Sequence, residues 1–152
     1  TLGASQRDMP FTPLLPLPAS DTPQITVAVV GAHLSGMPLN YQLAERHGTL
    51  QESTFTSADY RFYALPGTVP PKPGLVKTGN GKPIAVELWT LPLAHFGSFV
   101  ALIPSPLGIG TLTLEDGRDV KGFICEPWAT DGAEDITHFG GWRAYMAARA
   151  AR

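Results

Sequence analysis

A single cysteine, Cys125, stands in a chain of 152 residues. It excludes an internal disulfide and a thiolate-based zinc cage, and its neighbours Phe123 and Ile124 mark it as a core thiol rather than a nucleophile. Charge of one sign is equally scarce. Lys and Arg number 11 against 13 Asp and Glu, a net charge of −2. There is no basic excess to hold a phosphate backbone, which argues against nucleic acid as a partner. No apolar run approaches the roughly 20 residues of a membrane-spanning helix, and the first residues lack the basic-then-apolar pattern of a secretory signal. A GxSxG elbow, a GxGxxG turn, a P-loop and HExxH are all missing, as is a glycine- and serine-rich amidase signature. These absences lead us to expect a cytoplasmic protein, off membranes, with neither metal nor cofactor.

Glycine and proline are plentiful, 16 and 15 residues. That is too many for a helix bundle and suits short strands separated by punctuated turns. Residues 1–24 hold Pro10, Pro13, Pro16, Pro18 and Pro23, and read as a tail or interdomain linker. The folded domain is expected over 25–152. The β-branched run 25–30 predicts a strand buried on both faces. A helix is predicted over 38–47, strands over 50–55 and 60–65, and a long irregular loop over the proline-rich 66–83. A strand over 84–91 and a helix over 93–103 follow. Strands over 109–114 and 120–125 flank the turn signal Asp116-Gly117, and a last helix spans 139–150. Short antiparallel strands with few helices predict an α+β domain, a small closed or nearly closed barrel with helices packed outside.

One segment has the makings of a site. After the first strand the chain reads Gly31-Ala32-His33-Leu34-Ser35-Gly36 and then enters a helix. Such a turn exposes successive backbone N–H groups and favours an anion, carboxylate or phosphate. His33 beside it is a candidate general acid or base, or a positive charge for a carboxylate; it is equally a turn histidine satisfying one hydrogen bond. Glu87 has apolar strand neighbours, and a carboxylate buried there is either functional or paired, with Arg61 or Lys72 as partner. Lys72 and Lys77, in the long loop, either close over an anion or remain solvated. Tyr60, Arg61 and Tyr63 lie on a predicted strand with one side chain toward a cavity.

Many separate segments, in order, resemble one family. They are Val-Val-Gly-Ala-His-Leu-Ser-Gly-Met-Pro-Leu-Asn (29–40), Tyr-Arg-Phe-Tyr-Ala-Leu-Pro-Gly (60–67), Lys-Pro-Gly-Leu-Val (72–76), Val-Glu-Leu-Trp (86–89), Phe-Gly-Ser-Phe-Val (96–100), Ile-Pro-Ser-Pro-Leu-Gly-Ile-Gly (103–110), Val-Lys-Gly-Phe (120–123) and Asp-Ile-Thr-His-Phe-Gly-Gly-Trp-Arg-Ala-Tyr (135–145). From residue 25 onward the chain resembles the C-terminal domain of allophanate hydrolases, enzymes of urea and triazine (cyanuric acid) nitrogen breakdown. In fold that domain is similar to the γ-glutamylcyclotransferases, whose substrate-binding turn follows the first strand; Gly31-Ala32-His33-Leu34 is its counterpart here. The cyclotransferases carry a catalytic glutamate shortly after the segment matching 84–103. This chain has Ile103-Pro104-Ser105-Pro106 there, which excludes cyclotransferase chemistry.

The resemblance implies an N-terminal amidase domain on the same polypeptide as partner, with a small dicarboxylate as ligand. One implied role is decarboxylation of the amidase product N-carboxycarbamate, with His33 catalytic and Gly31, Ala32, Leu34, Gly36, Tyr63, Lys72 and Glu87 binding the substrate. The other is assembly, as a homodimerisation module or a docking module for other enzymes of the pathway.

Overall fold

The computed structural model describes residues 22–151, so most of the expected proline-rich segment, 1–21, lies outside the described residues. In chain order the elements are β1 (Gln24–Val29), α1 (Tyr41–Ala44), β2 (Thr49–Phe55), β3 (Tyr60–Ala64), β4 (Pro73–Lys77), β5 (Ala85–Pro92), α2 (Phe96–Val100), β6 (Leu107–Thr113), β7 (Asp119–Cys125), β8 (Glu134–Asp135) and α3 (Trp142–Ala150). A five-stranded sheet runs β2-β5-β1-β7-β6, and a three-stranded sheet runs β4-β3-β8. The domain is mixed α+β with few helices, as the sequence predicts.

The barrel does not close. The outer strands of the larger sheet, β2 and β6, meet only past their ends, at the Thr56–Leu114 bridge. Ser57 N donates to Thr113 O there, and Glu115 N to Phe55 O. The rest of β2 is largely solvent-facing. Both sheets contribute side chains to one core. Val27, Val29, Phe62, Leu75, Ile84, Leu91, Phe99 and Leu112 are fully or almost fully buried in it.

β1 is central to this arrangement. It pairs antiparallel with β5, Val29 opposite Glu87, and parallel with β7, Ala28 opposite Gly122. Val27, Ala28 and Val29 are buried, in keeping with the predicted two-faced burial of this strand. The β6–β7 hairpin turns at Gly117, whose φ of 92° is the left-handed conformation that the Asp-Gly signal calls for.

Four expectations change. The loop predicted over 66–83 contains β4, paired with β3 from Ala64–Pro73 to Tyr60–Lys77. Its proline misleads because Pro73 is the first residue of the strand, where a missing N–H is tolerated. The helix over 38–47 shrinks to Tyr41–Ala44, because hydrogen-bonded turns over 34–40 precede it and His47, with φ 61°, leaves the helical conformation. The helix over 93–103 becomes a single 3₁₀ turn, Leu93–His95, followed by α2. The last helix starts at Trp142, after Gly140 turns left-handed at φ 73°.

The small sheet is fastened by Asp135. Arg61 Nη2 donates to its Oδ2 at 2.6 Å, and Thr137 donates to its Oδ1 from both hydroxyl and backbone N–H. Burial by itself raises the Asp135 pKa, but the donors from Thr137 and Arg61 outweigh it and bring the value down to about 2. Because the folded-state value is depressed, the stabilisation is complete above the ordinary value of 3.8 and is lost as pH falls toward about 2. We expect Asp135→Asn to unfold more readily than the unsubstituted chain at neutral pH, with the gap closing between about pH 4 and pH 2 in urea titrations.

Candidate functional site

β1 ends where Gly31 takes the chain out of the ladder. A Cβ on Gly31 would overlap the Pro73 ring, so only glycine lets β4 lie this close to the turn. The turn then closes on itself: Leu34 N donates to Gly31 O at 3.0 Å and Leu39 N to Ala32 O at 2.8 Å. Asn40 Nδ2 donates to His33 O at 2.8 Å. The amides of Ala32 and His33 donate to no acceptor among the described residues.

His33 is 7% exposed. Its ring packs on Phe123 at 4.8 Å and edge-on to Phe99 at 5.4 Å, centroid to centroid. Its Nε2 lies 2.6 Å from Gln42 Oε1. That oxygen only accepts, so Nε2 carries the proton. Burial pushes the His33 pKa below its ordinary 6.5; the hydrogen bond to Gln42 opposes this, and the positive charge of Lys72 reinforces it. His33 is therefore a neutral imidazole at neutral pH, not a standing positive charge.

The turn opens onto a cavity of about 190 Å³. Gly31, Ala32, His33, Gln42 and Lys72 contribute its polar lining, and Val30, Leu39, Ile103, Pro104 and Phe123 are among its apolar lining. Lys72 reaches the cavity from the residue before β4, its backbone N–H tied to Thr68 Oγ1 at 2.8 Å. Among the described residues, no three His, Cys, Asp or Glu side chains are grouped to hold a metal ion.

Glu87 lies behind the turn. It is 5% exposed and takes four donors. Oε1 accepts from Ser35 N at 2.8 Å and Trp89 Nε1 at 3.1 Å; Oε2 accepts from Ser35 Oγ at 2.7 Å and Arg143 Nη2 at 3.0 Å. The same Arg143 nitrogen donates to Ser35 O at 2.7 Å. Burial raises the Glu87 pKa, yet the donors from Ser35, Trp89 and Arg143 prevail and hold it below the ordinary value of 4.5. The ion-pair partner is Arg143 on α3, not Arg61 or Lys72 as the sequence suggested. Arg61 is engaged by Asp135.

Of the sequence-derived candidates, Gly31, Ala32, His33 and Lys72 converge on the cavity. Leu34 and Glu87 line a second hollow of about 410 Å³ instead, together with Arg143. Gly36, with φ 81°, turns the chain, and Tyr63 sits in β3 opposite Gly74 and Asp135; neither is among the lining residues of the first cavity. Lys77 does not join Lys72 there, and donates to Thr113 Oγ1 at 3.2 Å. Gln42 escaped the sequence reading. The available signal was its position three residues after Leu39, on the same face of the helical segment; both line the cavity.

Residues 25–147 match the family model of the allophanate hydrolase C-terminal domain. The urea amidolyase of Saccharomyces cerevisiae is 46% identical over 127 residues, 80% of this chain and 7% of the yeast protein. The allophanate hydrolase of Kluyveromyces lactis superposes with a TM-score of 0.80 at 45% identity, over 86% of this chain and 22% of that one. The chain thus spans a small fraction of these relatives. The Escherichia coli protein c4763 differs in this respect: at 32% identity and TM-score 0.77, the match covers 82% of this chain and 97% of that one. A γ-glutamyl cyclotransferase, 8% identical with a TM-score of 0.53, shares the fold.

The Glu87 network makes a graded prediction. Glu87→Ala strands the Ser35 amide and the Trp89 indole N–H in the interior and is expected to cost about 3–5 kcal/mol in urea unfolding. Arg143→Ala removes a half-exposed partner and is expected to cost about 1 kcal/mol or less.

Proposed function

This chain belongs to the allophanate hydrolase C-terminal domain family, and on that premise we propose that it binds a small dicarboxylate in the His33 cavity and assists decarboxylation of N-carboxycarbamate. An amidase domain on the same polypeptide supplies that intermediate from allophanate. The observation that carries this reading is the convergence of Lys72, His33 and the Gly31–Ala32 backbone on one small cavity that Val30, Ile103 and Phe123 also line.

The chemistry follows from that lining. N-carboxycarbamate is a dianion with two carboxylates on one nitrogen. Lys72 neutralises one carboxylate, and the amides of Ala32 and His33 receive an oxygen of the ligand. The other carboxylate leaves: its C–N bond breaks, the electron pair stays on nitrogen, carbon dioxide departs, and nitrogen takes up one proton to give carbamate. Val30, Ile103 and Phe123 oppose a solvated carboxylate and tolerate neutral carbon dioxide, which favours the forward step. The nitrogen takes that proton from water, while neutral His33, its Nε2–H committed to Gln42, orients the substrate in the cavity.

The second reading is assembly, as a homodimer or a docking unit for the longer polypeptide and other pathway enzymes. Large apolar side chains left on the surface favour it: Val69 is 91% exposed, Trp128 64% and Leu102 46%.

Carbon dioxide release from freshly generated intermediate separates the two. We expect His33→Ala and Lys72→Ala to slow the accelerated release toward the spontaneous rate, by about tenfold or more. An unchanged rate in both variants overturns the catalytic reading. Deleting the domain from a full-length relative then distinguishes assembly, which predicts a smaller particle with intact ammonia release.

A further inference from the structure

Gln42 touches His33 and the cavity at once. Its Oε1 is the acceptor 2.6 Å from His33 Nε2. It lines the same cavity as His33 and Lys72. Its carboxamide nitrogen donates to no described residue, and no buried side-chain nitrogen or oxygen among the described residues lacks a partner. Gln42 is only partly buried, so this nitrogen is on accessible surface. A carboxamide has one acceptor end and one donor end. Here the acceptor end is committed to the histidine, and the donor end is left over beside a cavity.

The side chain is also held in place. Gln42 N donates to Leu39 O at 3.0 Å, and its own carbonyl accepts from Arg46 Nη1 at 3.0 Å. Arg46, 8% exposed, is anchored in turn on Ser98 Oγ at 2.9 Å. A buried arginine thus fixes the backbone from which Gln42 reaches His33.

We infer that Gln42 is a positioning and binding residue of the cavity: its oxygen holds His33 as the tautomer protonated on Nε2, and its NH₂ group donates to an oxygen of the bound ligand. The binding half rests on the dicarboxylate reading above; the positioning half does not. The consequence is specificity. A carboxamide donor rewards an oxygen acceptor on the ligand, and a glutamate in its place would repel an anion while still accepting from the histidine. The charged and polar groups facing His33 are Gln42 and Lys72; the other ring neighbours, Phe99 and Phe123, are apolar.

The test uses this chain, Gln42→Glu and Gln42→Leu. The probe is malonate, in which a methylene replaces the NH between the two carboxylates. Nitrogen-15 NMR of the histidine rings reads tautomer and titration without any ligand. We expect His33 protonated on Nε2 in the unsubstituted chain. In Gln42→Glu it should titrate higher, because the new carboxylate favours the imidazolium; in Gln42→Leu the Nε2 preference should be lost. Calorimetry should show malonate binding weakened by about tenfold to a hundredfold in Gln42→Glu. A wild-type His33 protonated on Nδ1, or a tautomer unmoved in Gln42→Leu, overturns the positioning role. Equal malonate affinity in the unsubstituted chain and Gln42→Glu overturns the binding role. Absence of malonate binding by the unsubstituted chain overturns the binding half together with the dicarboxylate reading, whatever the NMR shows of positioning.

Discussion

A carboxylate in the interior fixes the geometry on which the site depends. Glu87 leaves water for a place between β1, the turn and α3, and this is tolerable only because four donors converge on its two oxygens. Two of them belong to Ser35, two residues beyond His33. The turn is therefore held from behind by an ionised group, while its front carries the histidine toward the cavity. Glu87 and Val29 are directly paired across β5 and β1, so the strand that delivers the turn and the strand that pins it are locked in register.

The cavity itself works by contrast of environments. Its lining combines a lysine, a carboxamide, a neutral imidazole and backbone amides with the apolar Val30, Ile103 and Phe123. A γ-glutamyl cyclotransferase shares the fold at 8% identity, and in this chain Ile103 and Pro104 line the cavity. A fold does not fix a reaction; the lining does.

Much of this was legible in the residues, for identifiable reasons. The β-branched run before Gly31 betrayed a buried central strand, and Asp116-Gly117 betrayed a hairpin, because both signals are local. β4 was hidden by its proline, since propensity rules penalise proline without knowing that Pro73 occupies a strand's first position. The Gly-Ala-His-Leu turn was found by its glycines, and Lys72 was drawn in as a nearby cation. The partner of Glu87 was missed, because Arg143 reaches it across 56 positions of chain and spacing carries no information at that range. Gln42 was missed for a different reason: a glutamine three residues from a leucine reads as an ordinary helix surface until a histidine is found beneath it.

Arg143 also ties the order of synthesis to the state of the turn. It donates to the carbonyl of Ser35 from 108 residues downstream. A ribosome delivers the turn first and its rear brace only 108 residues later. While the nascent chain lengthens, Ser35 and Glu87 can meet, but the guanidinium that completes their network is still untranslated. The network behind the turn is therefore completed only when α3 has emerged and docked, and a chain broken off before α3 carries the turn without Arg143.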